Sequence, residues 1–151
     1  MLNILIAGEL HPAGLKIINQ NSKYSVDYLK EVSNKNFLPY LKNADAMIVR
    51  TQTLNKNQIE KAKKLKIVSR HGVGYDNVDL NYIKKKNITL LVTATANAVA
   101  VAEHVISMFL SLSKSISDYD KEVRRGNFKS NSKKIKTFEM LNKNVLIAGF
   151  G

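Results

Sequence analysis

Short apolar runs alternate with segments of helical periodicity along the first 92 residues of the chain. Apolar, β-branched runs of about four to eight residues predict strands, whereas apolar positions three or four apart predict helices. The predicted strands are Leu2–Ala7, Tyr24–Leu29, Ala46–Val49, Ile67–Ser69 and Ile88–Val92, and the predicted helices between them are Pro12–Asn19, Asn36–Lys42, Asn57–Lys64 and Asp79–Lys85. This alternation predicts an α/β layer sandwich whose parallel strands are joined by right-handed crossovers.

Individual residues sharpen the prediction of these helices. Pro12 suits the first turn of its helix, where the missing N–H has no intrahelical partner in any case. Asp79 is predicted to be the N-cap of the fourth helix. The side chains expected to face the core are Leu15, Ile17 and Ile18 in the first helix and Ile59, Ala62 and Leu65 around the third.

The pattern changes after residue 93. A single helix is predicted from Asn97 to about Lys114, and it is apolar on nearly all faces, which is typical of a helix that lies between two domains. We therefore predict a boundary near residues 93–97, with residues 1–95 in one domain and residues 96–151 at the start of another. In the 151-residue chain by itself, this helix is expected to expose an apolar side.

The C-terminal segments continue the second domain. Arg124 to Asn127 mark a helix end in the polar stretch that follows the long helix, and Lys129–Lys136 is predicted to be an exposed loop. Phe138–Gly151 is predicted to begin a second sheet, with the strand Asn144–Ala148 leading into the Gly-x-Gly sequence at 149–151. A strand that feeds a Gly-x-Gly turn is how a dinucleotide-binding βαβ unit begins. We therefore expect the chain to be the front part of a larger enzyme.

The composition is that of an ordinary globular protein, with 44% hydrophobic and 24% charged residues. The absence of cysteine excludes disulfides and thiolate metal sites, and three scattered histidines predict no metal site. Neither a signal peptide nor a run of about 18 apolar residues is present in the sequence. We therefore expect a cytoplasmic protein that is not inserted in a membrane.

The formal net charge of +12 raises the hypothesis of nucleic-acid binding. Only four of the 24 basic residues are arginines, and the lysines lie in scattered helical stretches such as Lys84–Lys86 without interleaved aromatic residues. Lysine runs of this kind usually coat solvated helix faces and attract anionic ligands by long-range steering. A basic nucleic-acid-binding module therefore stays as a less favoured alternative.

The strongest candidate for a site is Ser69–Asp79, where the fourth strand ends and the next helix begins. In open α/β sheets, ligands bind outside the carboxyl ends of the strands, and glycines there let backbone N–H groups converge on an anion. Gly72 and Gly74 fit this role, with the N–H groups of Val73 and Gly74 as donors. The spacing alone is equally consistent with a tight turn that binds nothing.

Two arginines close neighbouring strands. Arg50 follows the third strand and Arg70 the fourth, so both are expected at the same rim of the sheet. Two guanidinium groups near such a turn make a receptor for carboxylate or phosphate. The alternative is that each arginine pairs with a local carboxylate, such as Asp45 or Asp76. The scarcity of arginine among so many lysines favours the receptor.

Polar residues also open the long helix. Thr95 or Asn97 either caps its first turn or faces a cleft and contacts a substrate. Glu103 and His104 are adjacent, so they point about 100° apart on a helix and cannot form a metal-binding pair. His104 is therefore interpreted as a packed histidine and not as a catalyst.

Four stretches, taken together and in order, make the chain similar to the D-isomer-specific 2-hydroxyacid dehydrogenase family. They are Val49–Thr51, Arg70–Asp79, Asn97–His104 and Val145–Gly151. The resemblance covers the whole chain. It implies a flavodoxin-like, parallel-sheet substrate-binding domain followed by the start of a truncated Rossmann domain that binds NAD.

The resemblance also implies a set of substrate contacts. Val73 and Gly74 match positions that offer backbone N–H groups to the substrate carboxylate. Arg50 and Arg70 match positions that contact the acidic substrate in phosphoglycerate-type members. Asn97 matches a residue of the cleft that lies near the substrate.

The cofactor contacts come from the same resemblance. Val101 matches a position that packs near the nicotinamide, and Gly149 and Gly151 match the first two glycines of the pyrophosphate turn. NAD is the expected cofactor, with NADP as the alternative, because the acidic residue that distinguishes them is not in the chain. The family's catalytic Arg, Glu and His match no residue of this sequence, so the chain alone is expected to be inactive.

The expected function is therefore that of the N-terminal portion of an NAD-dependent oxidoreductase. Its substrate would be a small anionic D-2-hydroxy acid or 2-keto acid, and the two arginines favour a doubly anionic one such as 3-phosphoglycerate. A non-catalytic ligand-sensing or corepressor-type relative on the same fold is the alternative. The resemblance implies a homodimer or larger assembly with the long helix contributing, and neither a membrane nor a nucleic acid as partner.

Overall fold

The computed structural model describes residues 1–33 and 35–149 of the chain. The chain forms two compact units, Met1–Ala96 and Asn97–Gly151. The first unit contains a sheet with helices between its strands, and the described part of the second unit is helical. The two units are therefore of different structural type.

Five parallel strands form the sheet of the first unit. They are β1 (Leu2–Ala7), β2 (Tyr24–Leu29), β3 (Ala46–Val49), β4 (Ile67–Arg70) and β5 (Thr89–Val92). Their order across the sheet is β2-β1-β3-β4-β5, and every neighbouring pair is parallel. The α/β fold with a parallel sheet predicted from the alternation is confirmed. The strand order reverses between β1 and β3, which makes that junction the topological switch point of the sheet.

Four helices connect these strands. They are α1 (Pro12–Asn19), α2 (Leu38–Leu41), α3 (Lys56–Lys61) and α4 (Leu80–Lys85). The bounds predicted for α1 are confirmed, whereas α2 and α3 are shorter than predicted. The α3 helix ends early because Ala62 leaves the helical conformation, with φ −87° and ψ 62°. Ala62 and Leu65 are nevertheless buried as predicted, because the turn after α3 carries them into the core.

Side-chain caps fix the starts of α3 and α4. The side-chain oxygen of Asn55 accepts the N–H of Gln58 at 3.2 Å, and the side-chain oxygen of Gln58 accepts the N–H of Asn55 at 2.7 Å. This reciprocal pair is a capping box, which satisfies two otherwise unpaired donors. Asp79 accepts the N–H of Tyr82 at 3.0 Å, so the predicted cap of α4 is confirmed. The caps set the positions at which the loops after β3 and β4 end.

The core lies on one face of the sheet. The register aligns Leu5 of β1, Met47 of β3 and Val68 of β4, and these side chains point to the same face. The buried apolar cluster that includes them comprises Leu5, Ala7, Phe37, Leu41, Ala44, Met47, Val49, Leu54, Ile59, Ala62, Leu65, Val68, Val78, Ile83 and Ile88. Helices α2, α3 and α4 therefore pack on this face and hold the loops at its edge.

One predicted core residue of α1 lies elsewhere. Leu15 and Ile18 are half-buried, but Ile17 is 71% exposed. The prediction that Ile17 faces the core is therefore wrong. Leu15 and Ile18 are three residues apart and share a helix face, whereas Ile17 is rotated by about 100° from Ile18.

The described part of the second unit contains three α-helices and a short 3₁₀ turn. They are α5 (Ala98–Ser113), α6 (Ile116–Arg124), α7 (Phe128–Asn131) and the turn Ser132–Lys134. The predicted helix end is confirmed, since α6 stops at Arg124 and Gly126 follows with φ +71°. A glycine is well suited to this left-handed conformation.

The segment after α6 differs from the prediction of an exposed loop. Residues 129–134 continue α7 and the 3₁₀ turn. The reason is local packing: the Phe128 ring lies 5.9 Å from the Tyr119 ring, and the Asn131 amide donates to Glu122 at 2.6 Å. These contacts with α6 order a segment whose composition alone is typical of a loop.

The α5 helix exposes apolar side chains, as expected for the chain by itself. Val99, Ile106, Met108 and Leu112 are all more than half exposed. No single helix in residues 1–33 and 35–149 is long and apolar enough to span a bilayer. The α5 and α6 helices, bent by 60° at their junction, pass that test only when they are taken as a pair.

The predicted strand Asn144–Ala148 is not a strand in the described structure. Its prediction is therefore wrong, and Val145, Leu146 and Ile147 are exposed. The physical reason is that a strand needs a hydrogen-bonded neighbour, and the described residues of this unit provide none. The segment before it is anchored instead by single contacts, such as the 2.9 Å bond from the N–H of Phe138 to the carbonyl of Ser113.

Candidate anion-binding site at the edge of the sheet

The carboxyl ends of the parallel strands meet at one edge of the sheet. At the switch point, Gly8 follows β1 and Arg50 follows β3, and the N–H of Arg50 donates to the carbonyl of Ala7 at 3.3 Å. Gly8 has φ +111°, and a Cβ built on it would lie 3.1 Å from the Cβ of Arg50. Gly8 was not among the residues predicted for the site. A glycine directly after the first strand was the signal that could have identified it.

The turn after β4 is held from both sides. The N–H of Gly72 donates to the carbonyl of Arg70 at 2.9 Å, and the carbonyl of Gly72 accepts the N–H of Thr93 at 3.1 Å. The N–H of His71 donates to the carbonyl of Val49 at 2.8 Å, which ties the turn to β3. Gly72 has φ +150°, a conformation that glycine adopts without steric cost.

The next two amides of this turn are available to a ligand. Val73 and Gly74 are exposed. Within residues 1–33 and 35–149, neither of their N–H groups donates a hydrogen bond to another protein group. Successive free N–H groups in a glycine-containing turn form a concave site that favours an anion. The two N–H groups predicted as donors are therefore free of protein acceptors in the described structure, and their role in binding an anion stays a prediction.

The guanidinium group of Arg70 lies against the same turn. Its Nη1 donates to the carbonyl of His71 at 2.9 Å, and its Nε is buried with no acceptor in the described part of the chain. The alternative predicted for the arginines was pairing with Asp45 or Asp76. Among the described residues, no salt bridge joins Arg50 or Arg70 to any carboxylate. The cation next to the free amides is therefore not neutralised by a local carboxylate.

The two arginines occupy different places at this edge. The register pairs Arg70 with Val49 and not with Arg50, and successive strand residues point to opposite faces. The Cβ of Arg50 lies beside Gly8, whereas the guanidinium of Arg70 lies beside Gly72. Both arginines are at the predicted rim, and their joint binding of one ligand stays a prediction.

A second loop braces the turn. The side-chain amide of Asn77 donates to the carbonyl of Gln52 at 2.7 Å. Leu54 and Val78 form an isolated parallel bridge, in which the N–H of Leu54 donates to the carbonyl of Asn77 at 2.7 Å. The loop after β3 and the turn after β4 are therefore fastened together, which limits the movement of the free amides.

One ion pair lies near the switch point. Glu9 follows Gly8 and forms a 3.1 Å salt bridge with Lys30. The hydrogen bond and the charge of Glu9 raise the pKa of Lys30 above its ordinary value. Within the described residues, no group of three His, Asp or Glu side chains is placed to hold a metal ion.

The remaining predicted site residues belong to the second unit. Asn97 precedes α5 and makes no side-chain capping bond, and Val101 is exposed on that helix. Gly149 has φ +88°, and no atom of the described residues lies within 4 Å of the position of a Cβ. Gly151, the other predicted glycine of the pyrophosphate turn, lies outside the described residues. The roles assigned to these four residues stay predictions.

Comparison with known proteins extends over both units. A family model described as the catalytic domain of D-isomer specific 2-hydroxyacid dehydrogenases matches residues 4–147. The chain is 30% identical over 152 residues to a D-3-phosphoglycerate dehydrogenase of Methanocaldococcus jannaschii, and the match covers 100% of this chain and 28% of that protein. The chain therefore spans a little over a quarter of the length of this curated relative.

Solved structures show the same fold. The D-lactate dehydrogenase of Aquifex aeolicus, complexed with NAD and lactic acid, is 27% identical with a TM-score of 0.75, and the match covers 89% of this chain and 40% of that one. The NAD⁺-bound 3-phosphoglycerate dehydrogenase of Entamoeba histolytica is 26% identical with a TM-score of 0.64, covering 73% of this chain and 38% of that one. The five-stranded α/β architecture is therefore shared with proteins of this class.

Proposed function

Because the chain belongs to the D-isomer specific 2-hydroxyacid dehydrogenase family, we propose that it is part of an NAD-dependent enzyme that interconverts a D-2-hydroxy acid and a 2-keto acid. The unit Met1–Ala96 is its substrate-binding portion. The unit Asn97–Gly151 begins its cofactor-binding portion. In this proposal, the substrate carboxylate binds at the turn after β4.

The observation that carries the proposal is the pair of free amides at Val73 and Gly74. They are exposed at the carboxyl edge of a parallel sheet and lie beside the guanidinium of Arg70. Backbone N–H groups and a guanidinium are the donors that carboxylates prefer, and bonds to a charged acceptor are stronger than neutral ones. In this proposal the amides bind the carboxylate and the guanidinium binds a second anionic group, so the set orients an acid without proton transfer.

The preferred substrate has a second anionic group. Arg50 and Arg70 both lie at this edge, and neither is neutralised by a carboxylate among the described residues. An arginine matches the geometry of carboxylate and phosphate oxygens better than a lysine does. The relatives named as 3-phosphoglycerate dehydrogenases favour 3-phosphoglycerate as this acid. Asn97 is proposed to contact the same substrate.

The proposed cofactor is NAD, with NADP as the alternative. When bound, the nicotinamide supplies or accepts the hydride of the reaction. Gly149 fits a pyrophosphate turn, because its positive φ and the open space around its Cβ position allow close approach to its backbone. Val101 and Gly151 are the other proposed cofactor contacts. Two solved relatives contain NAD, which supports this choice.

The whole protein is proposed to be a cytoplasmic homodimer or larger assembly, with α5 in its interface. The exposed apolar side chains of α5 support this proposal, since large apolar patches on a surface mark protein interfaces. Neither a nucleic acid nor a membrane is proposed as a partner.

The proposal is tested by following the backbone amides of the 151-residue chain during titration with D-lactate and with 3-phosphoglycerate. We expect the Val73 and Gly74 signals to shift with both acids, and 3-phosphoglycerate to bind more tightly. The variant Arg70→Ala weakens that binding, whereas Arg125→Ala, which removes an arginine paired with Glu122 on the surface, leaves it unchanged. Binding that leaves the Val73 and Gly74 signals unmoved contradicts the proposal.

A second arm of the test concerns catalysis. No residue of the chain matches the family's catalytic Arg, Glu or His, so we expect no oxidation of NADH with any 2-keto acid by the 151-residue chain. The assay follows NADH absorbance with pyruvate and with 3-phosphohydroxypyruvate. Turnover that depends on the enzyme concentration would show that the chain carries its own acid–base residues.

A further inference from the structure

The guanidinium group of Arg70 occupies the space that a side chain at position 72 would fill. A Cβ on Gly72 would overlap Nη1 of Arg70 and would lie 2.6 Å from its Cζ. Gly72 also has φ +150°, which disfavours any other residue for a separate reason. A glycine is therefore required at position 72 for two separate reasons. The Arg70 guanidinium fills the space of a side chain, and the backbone has a positive φ.

Ionic contacts do not fix the position of this guanidinium. Among the described residues, Nη1 alone has a protein acceptor, the carbonyl of His71 at 2.9 Å. Nε is buried without an acceptor in the described part of the chain, and no carboxylate there forms a salt bridge with Arg70. A guanidinium has five N–H donors, so this is a sparse set of partners. The shape of the turn, and not an opposite charge, therefore holds the group.

We propose that Gly72 is a positioning residue for Arg70. Because residue 72 has no side chain, the guanidinium rests against the turn beside the N–H groups of Val73 and Gly74, and the three together form one preassembled receptor. The inference rests on the proposed function in taking an acidic 2-hydroxy acid as the ligand. A ligand with a second anionic group gains from Arg70, whereas a ligand with a single carboxylate depends mainly on the amides.

The resting position is tested first without ligand. The chain has only four arginines, Arg50, Arg70, Arg124 and Arg125, so their Nε–H signals are assigned by single Arg→Lys variants. The Nε of Arg70 is buried, whereas Arg50 is exposed. We therefore expect the Nε–H of Arg70 to exchange more slowly than the Nε–H of Arg50, by at least about tenfold. Equal exchange of the two signals would overturn the proposal.

Two glycine variants separate space from backbone strain. Gly72→Ala should abolish the slow exchange of Arg70, because the new Cβ displaces the guanidinium. Gly126→Ala is the matched control: that glycine also has a positive φ, at +71°, but no atom lies within 4 Å of its Cβ position. It should leave the Arg70 signal unchanged. Retention of slow exchange in Gly72→Ala would overturn the proposal. If that variant does not fold, the comparison of Arg70 with Arg50 exchange in the wild type decides.

The ligand arm is a double-mutant cycle with 3-phosphoglycerate. Arg70→Ala and Gly72→Ala should each weaken binding by about tenfold, and the double variant should be no weaker than either single variant, because both changes remove one interaction. The same cycle with D-lactate is the control and should show little dependence on Arg70. If the two losses multiply in the double variant, Gly72 does not act through Arg70. Failure of every form to bind would count against the proposed function, while the exchange of the Arg70 Nε–H would still test the positioning role.

Discussion

The hydroxyl group of Tyr82 donates a 2.8 Å hydrogen bond to Glu60 and thereby joins α4 to α3. The α3 helix follows the loop after β3, and α4 follows the turn after β4. The contact between the two helices therefore helps to hold the two loops of the candidate site in place. Lys56 and Lys86 lie near the Tyr82 ring, with their ammonium groups 5.9 Å and 5.6 Å from its centroid. This small polar group spans the outer surface of both helices.

The first prediction concerns the ionisation of Tyr82. Its hydrogen bond to Glu60, helped by burial and by the charge of Glu60, raises the pKa of Tyr82 above its ordinary value of 10.0. The bond exists only while the phenol is protonated, so its contribution to stability is present at neutral pH and is lost as the pH rises through the pKa of the folded state. Difference absorbance between wild type and Tyr82→Phe should show an ionisation above pH 10.

Removing the negative charge of the acceptor provides the control for this titration. Glu60→Gln keeps an oxygen that accepts the bond but removes the negative charge, so we expect the pKa of Tyr82 to fall toward its ordinary value. If the ionisation of Tyr82 is the same in Glu60→Gln as in the wild type, the hydrogen bond between α4 and α3 does not raise the pKa of Tyr82 in solution.

The second prediction concerns the brace between the two loops of the site. Asn77→Ala removes the 2.7 Å bond to the carbonyl of Gln52 and should lower the free energy of unfolding by about 1 kcal/mol. It should also weaken anion binding, because the turn that bears the free amides gains freedom. Denaturant unfolding and amide titration measure the two effects. Asn43→Ala is the control, since that exposed side chain makes no hydrogen bond among the described residues. If the two variants have the same free energy of unfolding and the same affinity for the anion, the bond between Asn77 and Gln52 does not brace the loops.

The third prediction concerns the cap of α4. Asp79→Ala removes the acceptor of the Tyr82 N–H and should lower stability by about 1 kcal/mol. Asp79→Asn keeps a side-chain oxygen at the same place and should recover most of the loss. Equal destabilisation by alanine and asparagine would mean that the carboxylate charge, and not the capping bond, is what matters.

The strands and the caps could be predicted because their signals are local. The run Leu2–Ala7 is apolar except for Asn3, which is typical of a strand in a parallel sheet, and the structure has the predicted bounds. Asp79 caps α4 as its position before the helix suggested. The capping box of Asn55 and Gln58 was missed, although an N-cap residue followed three positions later by glutamine is a known signature.

The remaining features depend on neighbours that no local pattern specifies. Asn144–Ala148 has the composition of a strand, but pairing requires another strand, and none is described beside it. The burial of Phe37 depends on how the short helix α2 packs, not on periodicity. The glycine pair at 72 and 74 indicated a turn, whereas the position of the Arg70 guanidinium over Gly72 depends on a side-chain rotamer that spacing cannot give.

The fourth prediction tests the core under α2. Phe37 is fully buried, so Phe37→Ala should lower the free energy of unfolding by about 3–5 kcal/mol through lost burial and the cavity left behind. Tyr40→Ala, which truncates an exposed ring on α2, should cost less than about 1 kcal/mol. Denaturant unfolding of both variants gives the comparison. A small effect at Phe37 would show that α2 does not close the core in solution.

The fifth prediction concerns the apolar surface of α5. Leu112 and Ile17 are each 71% exposed, but Leu112 lies on a helix with many exposed apolar neighbours, whereas Ile17 is the one large apolar side chain exposed on α1. Contiguous apolar patches drive association, and single exposed residues do not. The wild-type chain should therefore self-associate with rising concentration, and Leu112→Lys should reduce this association. Ile17→Lys, which adds the same charge at the same exposure, should leave it unchanged.

Sedimentation velocity over a concentration series measures the association of all three proteins. A wild-type chain that stays monomeric throughout the series, or equal effects of the two lysines, would mean that α5 does not form the contact and that the proposed assembly interface lies elsewhere.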